Sequence, residues 1–191
     1  MRLRQVPHMI TNIIHTALIA CDGTWFSAGD ICPHCGGPLS GYDARKKRFA
    51  VLHENEKTIV VYVIIQRSRC RKCRRIINPP EPFYPGTRIG APVVDLCRTF
   101  SSIMPFNRTS RYLDQMGVVV DRWSVRHYVH LPLRELRTIE VFDMKLPVSI
   151  IYLSTLAGSL PVTGSLDRES ILEVCNYPSE LQKYSHFILP E

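Results

Sequence analysis

Four cysteines limit what this chain can fold into: Cys32-Pro33-His34-Cys35 and Cys70-Arg71-Lys72-Cys73 are two Cys-x-x-Cys pairs with thirty-four residues between them. Two intervening residues bend the backbone into a knuckle whose sulfurs converge, so each pair can grip one side of a tetrahedral metal. The spacing predicts a structural Zn2+ site with Cys32, Cys35, Cys70 and Cys73 as its ligands. Gly36 and Gly37 follow the first pair and are expected to supply positive φ angles that turn the chain away from the metal. Two disulfides or four idle thiols are the other readings, and an intracellular chain of 191 residues seldom keeps disulfides.

The segment between the pairs exceeds the roughly 15–20 residues usual for such sites. It holds two strand-like runs, residues 47–53 and 58–66, separated by Glu54-Asn55-Glu56-Lys57. A hairpin that leaves one knuckle and returns at the other uses the extra length. Alternation predicts Val60, Tyr62 and Ile64 on the core side. Residues 10–20 contain β-branched Ile10, Thr11, Ile13, Ile14 and Thr16, which predicts a strand that adds to the same sheet. Metal binding is expected to contribute on the order of 10 kcal/mol to ordering this ribbon. Cys21, Cys97 and Cys175 fall outside the paired spacing and are expected as buried thiols, and His8, His15, His53 and His186 have no ligand-like spacing.

Charge is unevenly held. The formal net charge is +7, and residues 43–75 carry 11 Lys or Arg against 3 acids, whereas residues 138–191 carry 3 against 7. Such asymmetry predicts attraction to a polyanion, with nucleic acid ahead of a membrane because no basic amphipathic helix accompanies it. Arg45, Lys46, Lys47 and Arg48, then Arg67, Arg69, Arg71 and Lys72, are the candidate phosphate contacts of the hairpin. Arg71 and Lys72, with Arg74 and Arg75, would equally offset the surplus negative charge of four thiolates around one divalent cation. Residues 146–162 are apolar but contain Pro147 and Pro161, which predicts core and not a membrane span. Met1-Arg2-Leu3-Arg4 and the apolar residues after it faintly resemble a signal peptide, but Thr11, Asn12, His15 and Thr16 interrupt the run, so a cytoplasmic location is expected.

Residues 79–87 hold Pro79, Pro80, Pro82 and Pro85 and are expected to be an extended linker between a ribbon at 1–78 and a helical module at 88–137. There the period becomes helical. One helix runs from Ala91 to just before Pro105, with Val93, Val94, Leu96, Cys97, Phe100, Ile103 and Met104 on its apolar stripe. A second starts with Asn107 as cap and stops at Gly117; a third starts with Asp121 as cap and covers residues 122–129. A helix, a Gly-containing turn and a short helix rich in Arg, Ser, His and Trp form the pattern of a helix-turn-helix. Val125 and Val129 would pack inward, leaving Arg122, Trp123, Ser124, Arg126 and His127 to face DNA, with Arg108 and Arg111 of the second helix in the same DNA-binding set.

The order of these parts resembles the N-terminal region of insertion-sequence transposases. The resemblance rests on Cys32 to Gly37, a basic hairpin, Arg69 to Arg74, a Pro-rich joint and the turn and helix at 117–129, about two-thirds of the chain. It implies a zinc ribbon and a helix-turn-helix that bind a transposon end as double-stranded DNA. Transposases of this kind cut with three carboxylates holding two metals on a fold longer than the 54 residues after Arg137. Asp143, Asp167, Glu169 and Glu173 are available there, but Asp167 and Glu169 suit a helix start. The expectation is a sequence-specific DNA-binding protein of the α+β class with no nuclease of its own, no membrane contact and no small-molecule substrate. Its tail, 138–191, would pack on the helical module or on a second copy, giving a homodimer. The alternatives are the targeting half of a split or degenerate transposase, and a zinc-ribbon module that docks protein or RNA.

Overall fold

In the computed structural model the chain is described over residues 6–54, 57–133, 135–160 and 164–175. The expectations placed on Met1-Arg2-Leu3-Arg4, Asn55-Glu56, Pro161 and His186 lie outside those residues. The architecture is mixed α and β, as expected.

The N-terminal apolar run is a helix, α1 (His8–Ile19), and not the strand its β-branched residues predicted. Ile10, Ile14, Ala17 and Leu18 are buried along one stripe at helical spacing. Burying that stripe outweighs the intrinsic preference of Ile and Thr for strands, which spans only about 1 kcal/mol. The strand that does join the sheet comes later, β1 (Trp25–Ser27), between Asp22-Gly23 and Gly29-Asp30.

The hairpin is β2 (Leu39–Glu54) and β3 (Lys57–Cys70), antiparallel and longer at both ends than the two predicted runs. β1 lies parallel to β3 at Trp25 to Ser27, and β4 (Ile76–Ile77) pairs antiparallel with β3 further along at Ser68 and Arg69. The core side of β3 is the opposite of the one predicted: Val61, Val63 and Ile65 are buried, while Tyr62 is 39% exposed. Every residue from Ile59 to Ile65 is apolar or aromatic, so alternation within the strand cannot choose a face; the partner strand does. On β2 a register shift between Arg48 and Ala50 leaves Phe49 and Ala50 both buried.

The three expected helices are present as α2 (Ala91–Ser101), α3 (Phe106–Gln115) and α4 (Arg122–Val129). α2 stops earlier than predicted, and Ile103 beyond it is 68% exposed. The residue before α3 is Pro105, and Asn107, predicted as its cap, instead accepts a hydrogen bond from the Arg108 amide. Asp121 caps α4 as predicted, accepting from the Trp123 and Ser124 amides at 2.9 Å. Gly117 ends the α3 segment with φ +73°, where a Cβ would lie 2.6 Å from the His53 carbonyl and 2.4 Å from the His15 ring.

The turn between α3 and α4 is stitched to the hairpin edge and to α1. The His53 amide donates to the Gly117 carbonyl (2.8 Å), the Val119 amide to Val51 (2.9 Å), and His15 Nε2 to Met116 (3.1 Å). The proline-rich stretch also packs inward. Phe83 and Tyr84 are buried, and the Phe83 ring meets Phe49 edge-on at 6.0 Å. The Tyr84 and Ser149 hydroxyls both donate to the buried Asp95 carboxylate at 2.9 Å.

The tail forms a hairpin, β5 (Thr138–Val141) and β6 (Met144–Pro147), then α5 (Val148–Gly158) and α6 (Arg168–Cys175). α5 packs chiefly on α1, and β6 and α5 also touch α2. Asp167 opens α6, accepting from the Ser170 amide and hydroxyl. One core runs from α1 through the sheet, the proline-rich stretch and α2 to α6, so 79–87 is packed chain and not a free spacer.

Candidate metal centre

The four predicted ligands meet at one end of the hairpin. The sulfurs of Cys32, Cys35, Cys70 and Cys73 all lie within 4.8 Å of one another. The contacts across the two knuckles are 3.8 Å for Cys32 to Cys73 and 3.5 Å for Cys35 to Cys70. A tetrahedron with metal–sulfur bonds of about 2.3 Å has sulfur–sulfur edges of roughly 3.8 Å, whereas a disulfide needs about 2.05 Å. The cysteines are free thiols arranged to hold a metal ion. Among the described residues they are the one group of three or more His, Cys, Asp or Glu side chains placed to do so.

The two knuckles repeat one backbone pattern. In the first, the Gly36 amide donates to the Cys32 carbonyl at 3.0 Å and the Cys32 amide to Gly37 at 2.9 Å; in the second, Arg74 donates to Cys70 at 3.0 Å and Cys70 to Arg75 at 2.9 Å. Gly36 has φ +67°, as predicted, and Arg74 takes the equivalent left-handed position with φ +63°, which its sequence did not announce. Gly37 is not left-handed; it serves by having no side chain. A Cβ there would lie 2.7 Å from the Lys72 Cβ and 3.2 and 3.3 Å from the sulfurs of Cys70 and Cys35. A hydrogen bond from the Arg71 amide to the Pro38 carbonyl (3.0 Å) joins the two knuckles, and one from the Leu39 amide to the Asp30 carbonyl (2.8 Å) closes the base of the first.

The sulfurs shape one another's acidity. The Cys70 thiol is lowered to about 6, chiefly by the Cys73 amide and then by the Lys72 amide and the Cys35 thiol, against burial. The Arg75 amide pulls Cys73 down, but burial and the sulfurs of Cys70, Cys35 and Cys32 prevail and raise it to about 11. Sulfurs this close cannot all be anionic without a cation between them. Arg71, Lys72, Arg74 and Arg75 are exposed around the knuckles and add positive charge there. Outside the centre, Cys21 and Cys97 are fully buried and burial pushes both thiols well up; Cys175 is buried too.

The hairpin cations do not share one face. Lys46 and Arg48 are exposed opposite Ile64 and Tyr62, away from the core. Arg45, Lys47, Arg67 and Arg69 belong to the core-side rows, beyond the reach of the core itself. Lys47 donates to Glu81 at 2.7 Å and sits 4.1 Å over the Phe83 ring, and Arg67 donates to Asp43, which also lies 3.4 Å from Arg45. The Arg67 guanidinium holds the Asp43 carboxyl below the usual carboxylate range. Arg69 donates to the Arg74 carbonyl at 3.4 Å.

On the helices, Arg108 and Arg111 of α3 are exposed. On α4, Val125 is buried and Val129 half-buried, as expected, and Tyr128 joins them inside. Arg122, Trp123, Arg126 and His127 are exposed, with the Arg122 guanidinium 4.7 Å over the Trp123 ring. Ser124 is half-buried and donates its hydroxyl to Asp121 at 2.6 Å, while His127 Nε2 donates to the Gly86 carbonyl at 3.1 Å. Asp143 sits in the tight turn of the β5–β6 hairpin with φ +57°, and Asp167 is occupied as a cap. No helix among the described residues is long and apolar enough to cross a membrane. Comparison with protein-family models, curated proteins and solved structures found no match to this chain.

Proposed function

We propose that this chain is a zinc-containing, sequence-specific DNA-binding protein, similar to the end-recognition part of a transposase and without a nuclease centre of its own. The observation that carries the reading is α4, which presents Arg122, Trp123 and Arg126 to solvent while Val125 and Tyr128 anchor its other side. Eight residues at about 1.5 Å each make an element that fits a major groove about 12 Å wide. Arg122 and Arg126, four apart, lie on one helix face, where an Arg can donate two bonds to a guanine edge. The turn that precedes α4 is hydrogen-bonded to the hairpin, which supports a helix held in fixed orientation and not on a loose arm.

Zn2+ is the ion that four thiolates in a tetrahedral setting suit best, and in this reading it is structural: all four positions are filled by protein. Exposed cations away from the Lys46 and Arg48 face, Arg45, Arg69, Arg71 and Lys72 with Arg108 and Arg111 of α3, supply phosphate contacts, which position the protein without reading sequence. Double-stranded DNA is the partner, and a homodimer would place two α4 helices on half-sites about 34 Å apart.

The test is selection of bound duplexes from a random pool by the zinc-loaded chain, repeated with Arg122→Ala and Arg126→Ala. A defined motif is expected, relaxed by about 1–3 kcal/mol at the base each arginine reads. With about six phosphates neutralised, affinity should fall with salt at a log–log slope near −5. Equal enrichment with and without both arginines, or salt-insensitive binding, overturns the reading.

A further inference from the structure

The sheet has a second face, turned away from the core, that a structural ribbon alone does not account for. Register places Trp25, Ile64 and Lys46 in one row across β1, β3 and β2, and Tyr62 opposite Arg48 in the next. Trp25 is 52% exposed and Tyr62 39%. Neither carboxylate of the two long strands shares those rows: Asp43 pairs with Arg67 and Glu54 lies opposite Lys57, both on the other side. The nearby Asp22 carboxylate is engaged by the Tyr62 amide at 2.8 Å at the strand edge.

Two exposed aromatics on diagonal positions of adjacent strands are about 7–8 Å apart, with their Cβ atoms somewhat closer, near enough for successive bases. Cations alongside them match the phosphates that join those bases. A duplex hides its base faces inside its own stack, so flat aromatics flanked by Lys and Arg suit unpaired nucleotides. An uncharged apolar partner would leave Lys46 and Arg48 without a counterpart.

We propose that this face is a stacking platform for single-stranded DNA, with Trp25 and Tyr62 against unpaired bases and Lys46 and Arg48 on the flanking phosphates. The choice of DNA over RNA rests on the DNA-end reading above; the stacking itself does not.

The experiment is fluorescence anisotropy of the full zinc-loaded chain with oligothymidylate of about twelve nucleotides, with oligouridylate of the same length, and with a blunt duplex. Trp25→Ala and Tyr62→Ala should each weaken oligothymidylate binding by about tenfold or more and leave duplex binding unchanged. Trp25→Phe should keep most of the affinity, and in a Trp123→Phe background oligothymidylate should quench the remaining tryptophan. Circular dichroism confirms that each variant is folded; Lys46→Glu with Arg48→Glu gives an independent loss should an aromatic variant not fold. Unchanged oligothymidylate binding in the folded variants overturns the proposal, as does preference for oligouridylate, or a dimer that dissociates in Trp25→Ala while DNA binding persists. Relaxed duplex specificity in Arg122→Ala with single-strand binding intact separates this face from α4. Absence of any duplex recognition would sink the end-recognition reading and leave the platform standing.

Discussion

Gly37 shows how a single missing methyl can decide whether a metal centre closes. Its Cβ position is crowded by the opposite knuckle at 2.7 Å and by two ligand sulfurs, so Gly37→Ala must push the knuckles apart. Overpacking of this kind costs about 1–3 kcal/mol, and metal affinity is expected to fall about tenfold or more in competition with a chromophoric chelator. Arg74 shows the reverse. It holds a left-handed backbone at φ +63° where the first knuckle uses glycine, so Arg74→Gly is expected to stabilise the protein by about 1 kcal/mol in denaturant unfolding. Asp121 is the third residue with a definite role. The Ser124 hydroxyl first, then the Ser124 and Trp123 amides, hold its carboxyl below the usual carboxylate range. A carboxyl lowered in the folded state stabilises above its unfolded pKa, about 3.9, and loses that contribution as pH falls through the folded value. Asp121→Ala should therefore cost about 1 kcal/mol near neutral pH, and the difference from wild type should shrink in acid, as thermal unfolding across pH would show. Cys-x-x-Cys and the cap at Asp121 were legible because each works over a few adjacent residues; the role of Gly37 was not, because the atoms that crowd it come from the other knuckle.

At the scale of elements, the hairpin has two ends held by different physics. Near the knuckles the strands rest on the four-cysteine cluster and on a few backbone bonds, whereas Phe49, Leu52, Val61 and Val63 lie in the core. Removing the metal with a chelator should speed amide exchange at residues 31–41 and 67–77 while leaving 49–52 and 61–65 protected. Uniform loss of protection would mean that metal and core are one cooperative unit. α2 to α4 were readable because helical period, a capping Asp and a stopping Gly are local signals. α1 was misread from its composition, and the outward face of β3 was misread because its apolar run has no internal phase. The hairpin β5–β6 gave no signal at all: its turn residues Phe142 and Asp143 adopt φ +50° and +57° without a glycine.

For the whole molecule, the decisive feature is that residues 79–87 belong to the core. Four prolines within them read as a spacer, yet Phe83 and Tyr84 are buried and join the sheet to α2. Phe83→Ala should cost about 3–5 kcal/mol, and in the metal-loaded protein tryptophan fluorescence and circular dichroism should report one coincident transition. Separate transitions for the sheet and the helices would contradict a shared core. The sequence by itself determined the parts whose chemistry is local: the two cysteine pairs, the hairpin between them, the helices with their stops, and the uneven charge. Only the tertiary structure decided which face of the sheet is buried, that the proline-rich stretch docks, and that the turn before α4 is bonded to the hairpin. Those outcomes depend on surfaces from segments distant along the chain competing for the same buried volume, a competition that no local pattern of residue types records.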